Sequence, residues 1–381
     1  MNHTAQEERE ALVAAVRGFA DEQLAPFAGE RDAERIFPVD ALAAAGELGL
    51  GGIYVGEEYG SGLSRLDAVA IFEELARGDT TVAAYISIHN MTAWMIDTFG
   101  SPEQRARWLP GMVAMRDLGA YCLTEPGTGS DAAAITTSAR RDGDDYVING
   151  TKQFISGAGA AAVYVVMART GEPGPGGIST IVVERDTPGL SFGPNEHKMG
   201  WNAQPTRQVI FEDVRVPVNQ RLSAEGDGFR IAMQGLNGGR VNMGACSVGG
   251  AQWALERAVT YVQERHAFGA PLAANQALVF ALADVETELQ AARALLERAA
   301  EKMDSGASDT AVACALAKRF ATDVAFDAAN TALQLHGGYG YLHEYGIERV
   351  VRDLRVHQIL EGTNEIMRTI VGRSLLKGGK R

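Results

Sequence analysis

The feature that most constrains this chain is a double change of period. Up to about residue 118 the apolar residues recur every three to four positions, between about 119 and 222 they gather into short β-branched and aromatic runs, and then helical spacing returns to the end of the 381 residues. Thr4 and Glu7 have the spacing of a capping box, and Leu12, Val13, Val16, Phe19, Ala20 and Leu24 follow at helical spacing as far as Pro26. Pro38 suits the opening of a helix carrying Val39, Leu42, Ala43 and Leu48, and further helices are expected over 66–76, over 82–99 and after Pro102. The middle runs 146–148, 162–168, 178–183 and 208–216 are separated by Asp142-Gly143, Pro173-Gly174-Pro175 and Pro188-Gly189. No helical stretch lies between them, which favours an antiparallel sheet or small barrel over a doubly wound one. Helices over 229–265, 275–303, 309–335 and 364–376 then have lengths suited to a bundle. The expected architecture is α+β and mostly α: an N-terminal helical domain 1–118, a middle antiparallel β domain 119–222 and a C-terminal four-helix bundle 223–381.

Composition removes several classes of function. The 35 basic and 48 acidic residues leave a formal charge of −13, which argues against a nucleic-acid partner. No apolar run approaches the roughly 18–20 residues of a membrane span, so membrane insertion is not expected. The acidic start MNHTAQEEREALVAAV reads as a mature N-terminus rather than a targeting segment. Three dispersed cysteines, Cys122, Cys246 and Cys314, argue against a disulfide framework and for a reducing compartment. That compartment is the cytoplasm for a bacterial chain, or the mitochondrial matrix for a processed eukaryotic one. The seven histidines show no ligand spacing, and no metal is expected.

Three glycine-containing segments have chemical potential, and each has an ordinary alternative. The run from Tyr121 through Leu123, Thr124, Gly129 and Ser130 to Asp131 leaves a strand on glycines that let backbone N–H groups approach a ligand, or is only a turn. Gln334, Leu335, His336, Gly337 and Gly338 end a helix on glycines, as a plain C-cap also would. Glu361 stands on a Gly-containing turn, where a carboxylate favouring the dipole of the next helix is the simpler account. Gly238 and Gly239 are harder to dismiss. Inside a helix each costs roughly 1 kcal/mol relative to Ala, so something should pass close to that backbone. Arg240 beside them is a candidate for an anionic ligand, or an ordinary surface ion pair.

Taken together and in this order, the segments resemble the acyl-CoA dehydrogenase family over essentially the whole chain. The most specific are Leu123-Thr-Glu-Pro-Gly-Thr-Gly-Ser-Asp131 and the Gln334 to Gly340 run followed by Glu361-Gly-Thr363. Several stretches look like the branch of the family that acts on isobutyryl-CoA: Ser87-Ile-His-Asn-Met91 with Ala93-Trp-Met-Ile-Asp97, Phe154-Ile-Ser-Gly-Ala-Gly159, Gly200-Trp-Asn202 with Gln204-Pro-Thr-Arg207, Gly235-Leu-Asn-Gly-Gly-Arg240, and Arg355-Val-His-Gln-Ile-Leu-Glu-Gly362. The resemblance implies FAD between the β domain and the bundle of a homotetramer, with an acyl-CoA substrate and an electron-transfer flavoprotein as acceptor. It implies flavin contacts from Tyr121, Leu123, Thr124, Gly129, Ser130, Phe154 and Ser156. It places Arg265, Phe268, Gln334, Leu335, His336, Gly337 and Gly338 on the dinucleotide across a subunit boundary, and Asn275 and Gln276 at a further cofactor-binding pair, with Thr363, Asn364 and Glu365 beside its phosphates.

For the acyl-CoA it implies Ser130, Asn237, Gly238, Gly239, Arg240 and Arg373. Glu361 becomes the base that takes the α-proton, because the alternative position on the facing helix is Gly239. The implied reaction is oxidation of isobutyryl-CoA to methacrylyl-CoA, as in valine breakdown. Met91, Trp94 and Met95 would close a short pocket or simply fill the core, and Gly238 and Gly239 would give width for an α-methyl branch. Rival readings are another short-chain or 2-methyl-branched acyl-CoA dehydrogenase, an acyl-CoA oxidase, from which the short C-terminus argues away, and a non-catalytic flavoprotein scaffold.

Overall fold

The structure is a computed structural model that describes residues 3–378. The side chain of Thr4, and with it the expected capping box, lies outside the described residues. Helix α1 (His3–Phe19) runs through a π turn and a 3₁₀ turn at Pro26 into α2 (Ala28–Glu34), so that proline bends the path without ending it. Helices α3 (Val39–Glu47), α4 (Arg65–Gly78), α5 (Thr80–Phe99) and α6 (Pro102–Val113) complete the first layer. Their starts are chemically marked. Ser64 with Asp67 and Ser101 with Gln104 form capping boxes, and Asp79 accepts from Thr81 and Val82 at the head of α5.

The middle region holds β1 (Gly119–Cys122), β2 (Ser138–Asp142), β3 (Asp145–Ser156), β4 (Val163–Arg169), β5 (Ile178–Glu184), β6 (Leu190–Phe192), β7 (Thr206–Pro217) and β8 (Arg221–Leu222). Their order is β6-β7-β3-β2-β4-β5-β8, with β1 beside β4. The expectation of a purely antiparallel sheet needs correcting, because β1 and β2 both pair with β4 in parallel. The segment between β1 and β4 includes the β2–β3 hairpin and returns the chain in the direction it entered, so the local run of turns did not fix every pairing.

The last region opens with α7 (Gly228–Glu264), a 37-residue helix that passes into a small hairpin, β9 (His266–Ala267) and β10 (Ala270–Pro271). It continues with α8 (Gln276–Asp304), α9 (Thr310–His336), α10 (Ile347–His357) and α11 (Asn364–Leu376). The helix α10 was not foreseen. Helix α7 is the spine, buried through Ile231, Leu236, Val241, Met243, Cys246, Val248 and Ala251 against α4, α5, α8 and α9. All three cysteines are buried free thiols.

Candidate active site

Helix α7 approaches its neighbours through glycines on one face. A Cβ on Gly235 would stand 2.1 Å from Met95 Cε, one on Gly238 2.7 Å from Arg65 Nη1, and one on Gly239 2.6 Å from Glu361 Oε2. The spacing i, i+3, i+4 puts the three notches on one side of the helix. This explains the tolerated cost of glycine in a helix interior, and it corrects one expectation. Gly238 and Gly239 do not provide open width, because Arg65 fills one notch and the Glu361 carboxylate the other.

Glu361 sits on the turn between α10 and α11 with φ of +56°, a left-handed conformation rare for a residue with a side chain. Two buried cations hold that turn. Arg240 Nε donates to the Glu361 carbonyl at 3.0 Å, and Lys318 Nζ donates to the Gly362 carbonyl at 3.0 Å and to Asn364 Oδ1 at 2.9 Å. Arg240 also donates to Asn237 Oδ1 at 2.8 Å, so the side chain expected to meet an anionic ligand is engaged in holding the carboxylate's backbone. Glu361 Oε2 is buried and unpartnered. Burial pushes the Glu361 carboxyl up to about 7 against the opposing pull of Arg240 and Lys318. Burial likewise lowers Lys318 to about 8. Among the described residues no hydrogen bond takes the Glu361 N–H, which leaves a backbone donor next to the carboxylate.

Across from Glu361, β1 and the turn after it present Tyr121, Leu123 and Thr124. The Tyr121 hydroxyl is buried with no partner, and the Glu361 charge raises its pKa together with burial. The turn is locked by a buried ion pair. Lys152 Nζ donates to Glu125 Oε1 at 2.8 Å and to the Leu123 carbonyl at 3.0 Å, while Glu125 accepts from the Thr136 and Thr137 backbones. A Cβ on Gly127 or Gly129 would meet nothing within 4 Å, and Ser130 is exposed. Strand β3 loses register with β7 between Lys152 and Ile155. At this bulge Phe154 has φ of +59° and a ring 63 % exposed, aimed outward two residues before Ser156.

The remaining expected residues form a second group. Arg265 caps the end of α7 with its guanidinium 5.5 Å from the Tyr339 ring, and Phe268 stands fully exposed on the β9–β10 turn. Asn275 caps α8 through Ala277 N, Gln276 follows it, and Gln334, Gly337 and Gly338 are exposed at the end of α9 beside Leu335. His336 instead turns inward, bonding the Ala332 carbonyl at 2.7 Å and stacking on Tyr261. Asn364 is also committed inside the chain, to Lys318, Thr322 and Asp323, so its side chain is not available to a dinucleotide. Thr363 caps α11, Glu365 is exposed in its first turn, and Arg373 is exposed further along it.

Three family profiles cover the chain in sequence: acyl-CoA dehydrogenase N-terminal domain over residues 6–116, middle domain over 120–214 and C-terminal domain over 226–376. The chain belongs to the acyl-CoA dehydrogenase family. It is 54% identical over 360 residues to a mitochondrial isobutyryl-CoA dehydrogenase of Bos taurus, covering 94% of this chain and 86% of that protein. A mitochondrial isobutyryl-CoA dehydrogenase of Dictyostelium discoideum is also 54% identical, over 94% of this chain and 87% of its own length. Among solved structures, butyryl-CoA dehydrogenase from Megasphaera elsdenii superposes with a TM-score of 0.94 at 39% identity, over 97% of this chain and 98% of that one. This acyl-CoA dehydrogenase is accordingly an FAD-dependent oxidoreductase.

The residues present fit that cofactor. An outward-facing Phe154 ring, an unpartnered Tyr121 hydroxyl and an open glycine turn suit a large planar group with polar edges. Sequence reasoning missed Arg65, Tyr54 and Lys318. The available signal for Lys318 was a lysine on the buried, Ala-rich face of α9.

Proposed function

We propose that the chain oxidises isobutyryl-CoA to methacrylyl-CoA, with Glu361 accepting the α-proton. The carrying observation is a buried, unpartnered carboxylate on a cation-held turn, facing a helix glycine. A carboxyl pushed up to about 7 is a far better match for a weakly acidic α-carbon than a solvated one. Its lone pair takes the α-proton while the Cα–Cβ bond becomes double. The free Glu361 N–H is placed to donate to the thioester oxygen as negative charge grows on it. FAD, when bound, supplies the acceptor for the β-hydrogen, which leaves as hydride. Tyr121, Leu123, Thr124, Gly129, Ser130, Phe154 and Ser156 would hold its ring. An electron-transfer flavoprotein is the proposed acceptor of the two electrons.

A short acyl group is favoured by the spacing of side chains along α7. Met95 and Met91 stand over Gly235, one helical turn from Gly239, which leaves about 6 Å along α7 between the carboxylate and the sulfur-bearing end wall. Both methionines are also buried core residues, so a long chain must displace packed side chains, typically at about 1–3 kcal/mol or more. The 54% identity to isobutyryl-CoA dehydrogenases of two organisms supports the branched substrate.

Glu361→Gln tests the assignment of the base. The amide preserves shape but cannot take the proton, so FAD and acyl-CoA binding should persist while anaerobic flavin reduction falls by about 10²- to 10⁴-fold or more. Reduction near the wild-type rate would place the base elsewhere. Octanoyl- or isovaleryl-CoA proving the best substrate by kcat/KM would remove the isobutyryl assignment.

A further inference from the structure

We propose that Arg65 is a specificity-determining residue whose guanidinium forms the side wall of the acyl pocket and sets its width beside Glu361. The inference rests on reading the space beside Glu361 and Gly238 as the acyl site. Arg65 Cζ lies 3.5 Å from the centroid of the Tyr54 ring and 5.1 Å from that of Trp94. Its Nη1 occupies the notch at Gly238, next to the notch that holds the Glu361 carboxylate at Gly239. A group bound against this part of α7 therefore meets the guanidinium and the carboxylate on neighbouring residues of one wall.

Arg65 is not where it is for an ion pair. Among the described residues its guanidinium lies within salt-bridge distance of no carboxylate. Asp304 is near, but its oxygens accept from the backbone N–H groups of Arg65 and Leu66 at 2.8 and 3.2 Å. The start of α4 is thus anchored through backbone atoms, while the side chain turns toward Gly238 of α7 and the Tyr54 ring. Burial lowers its pKa, and the aromatic faces supply what a carboxylate does not.

The wall is also held still. The Tyr54 hydroxyl accepts from Asn242 Nδ2 at 3.1 Å, and the same amide donates to Ser87 Oγ at 3.0 Å, so the ring beneath the guanidinium is fixed from α7 and α5. The end wall is made of methionines, which are flexible and adapt to an extra carbon. A planar guanidinium stacked on a fixed ring has no such freedom. Discrimination against bulk on the α-carbon therefore falls to Arg65.

The test compares wild type with Arg65→Ala and Arg65→Lys, measuring kcat/KM, with kcat and KM resolved, for 2-methylbutanoyl-CoA and 2-ethylbutanoyl-CoA, which share a four-carbon chain and differ only in the α-substituent. The substrates differ by one methylene, a difference pockets resolve by about 10- to 200-fold. In Arg65→Ala the 2-ethylbutanoyl to 2-methylbutanoyl ratio should rise about tenfold or more, mainly through KM, with FAD content unchanged. Lysine does not stack as a plane, and it should raise the ratio by a smaller factor. Destabilisation alone would depress both substrates together. A ratio unchanged in the folded, FAD-loaded alanine variant would overturn the proposal, and if that variant does not fold, an unchanged ratio in Arg65→Lys does so. The wild-type substrate ranking judges the isobutyryl reading separately, since it does not depend on what the variants do.

Discussion

Glu361 is the proposed base, and its environment has measurable consequences. Because its carboxyl is raised to about 7, kcat/KM should rise with pH through an apparent pKa near that value as the base ionises. Lys318 is one of the cations holding it down, so Lys318→Met should move that limb to higher pH. A limb that stays in place in a folded variant would show that Lys318 acts on the backbone alone. The linkage has a definite sign. A carboxyl raised above its unfolded value of about 4.3 contributes stability that is complete below that pH and is lost as pH rises through the folded value. Glu361→Gln should therefore melt higher than wild type at pH 8 and close to it at pH 4, as thermal unfolding at the two pH values would report. Glu361 was singled out by the family resemblance, since its glycine turn alone reads as a carboxylate favouring a helix dipole. The role of Arg240 was not legible. A lone arginine beside two glycines suggests a ligand contact, and only the folded turn shows its Nε on the Glu361 carbonyl.

At the scale of elements, the helices were legible to within a residue or two where they are long, because α7, α8, α9 and α11 bury continuous faces whose period is strong. The amphipathic α10 went unread, because it is short and follows directly on a glycine-rich stretch. The parallel pairings of β1 and β2 with β4 and the bulge that aims Phe154 were also unread, since pairing partners are set by tertiary contacts and not by local pattern. The glycines of α7 show how an element yields local stability to the site. Gly239→Ala should gain helix propensity of about 1 kcal/mol, yet its Cβ would press on Glu361 Oε2 from 2.6 Å. The expected variant keeps or raises its melting temperature and loses at least about tenfold in flavin reduction, since small displacements of a reacting group cost that much or more. Full activity would mean that the carboxylate moves freely away from α7.

At the scale of the whole molecule, α7 separates the two groups of proposed cofactor residues. Gly239, against the carboxylate, and Arg265, at the helix end, are 26 residues apart on one helix, or about 39 Å at 1.5 Å per residue. A single dinucleotide does not bridge that span within one copy. The geometry therefore supports a site shared between copies, as in the proposed homotetramer, with the Arg265, Phe268 and Gln334 end of one subunit completing the flavin site beside Glu361 of another. The exposed Phe268, and Phe280 on α8, are surfaces such an assembly would cover. Arg265→Ala should release FAD more readily, because a charge-assisted contact is worth about 1.5–3 kcal/mol. The sharper experiment mixes two defective proteins, with FAD held too dilute to load the Arg265→Ala sites. When Arg265→Ala and Glu361→Gln subunits are unfolded together and co-assembled with FAD, a shared site can draw its intact Glu361 from the first and its intact Arg265 from the second. Random pairing then restores about a quarter of the sites, with the rest remaining defective. Flavin reduction by isobutyryl-CoA should recover toward that fraction in the mixture and not in either variant refolded alone. If each chain builds its site by itself, no mixture contains an intact one, and activity stays at the sum of the two defective proteins.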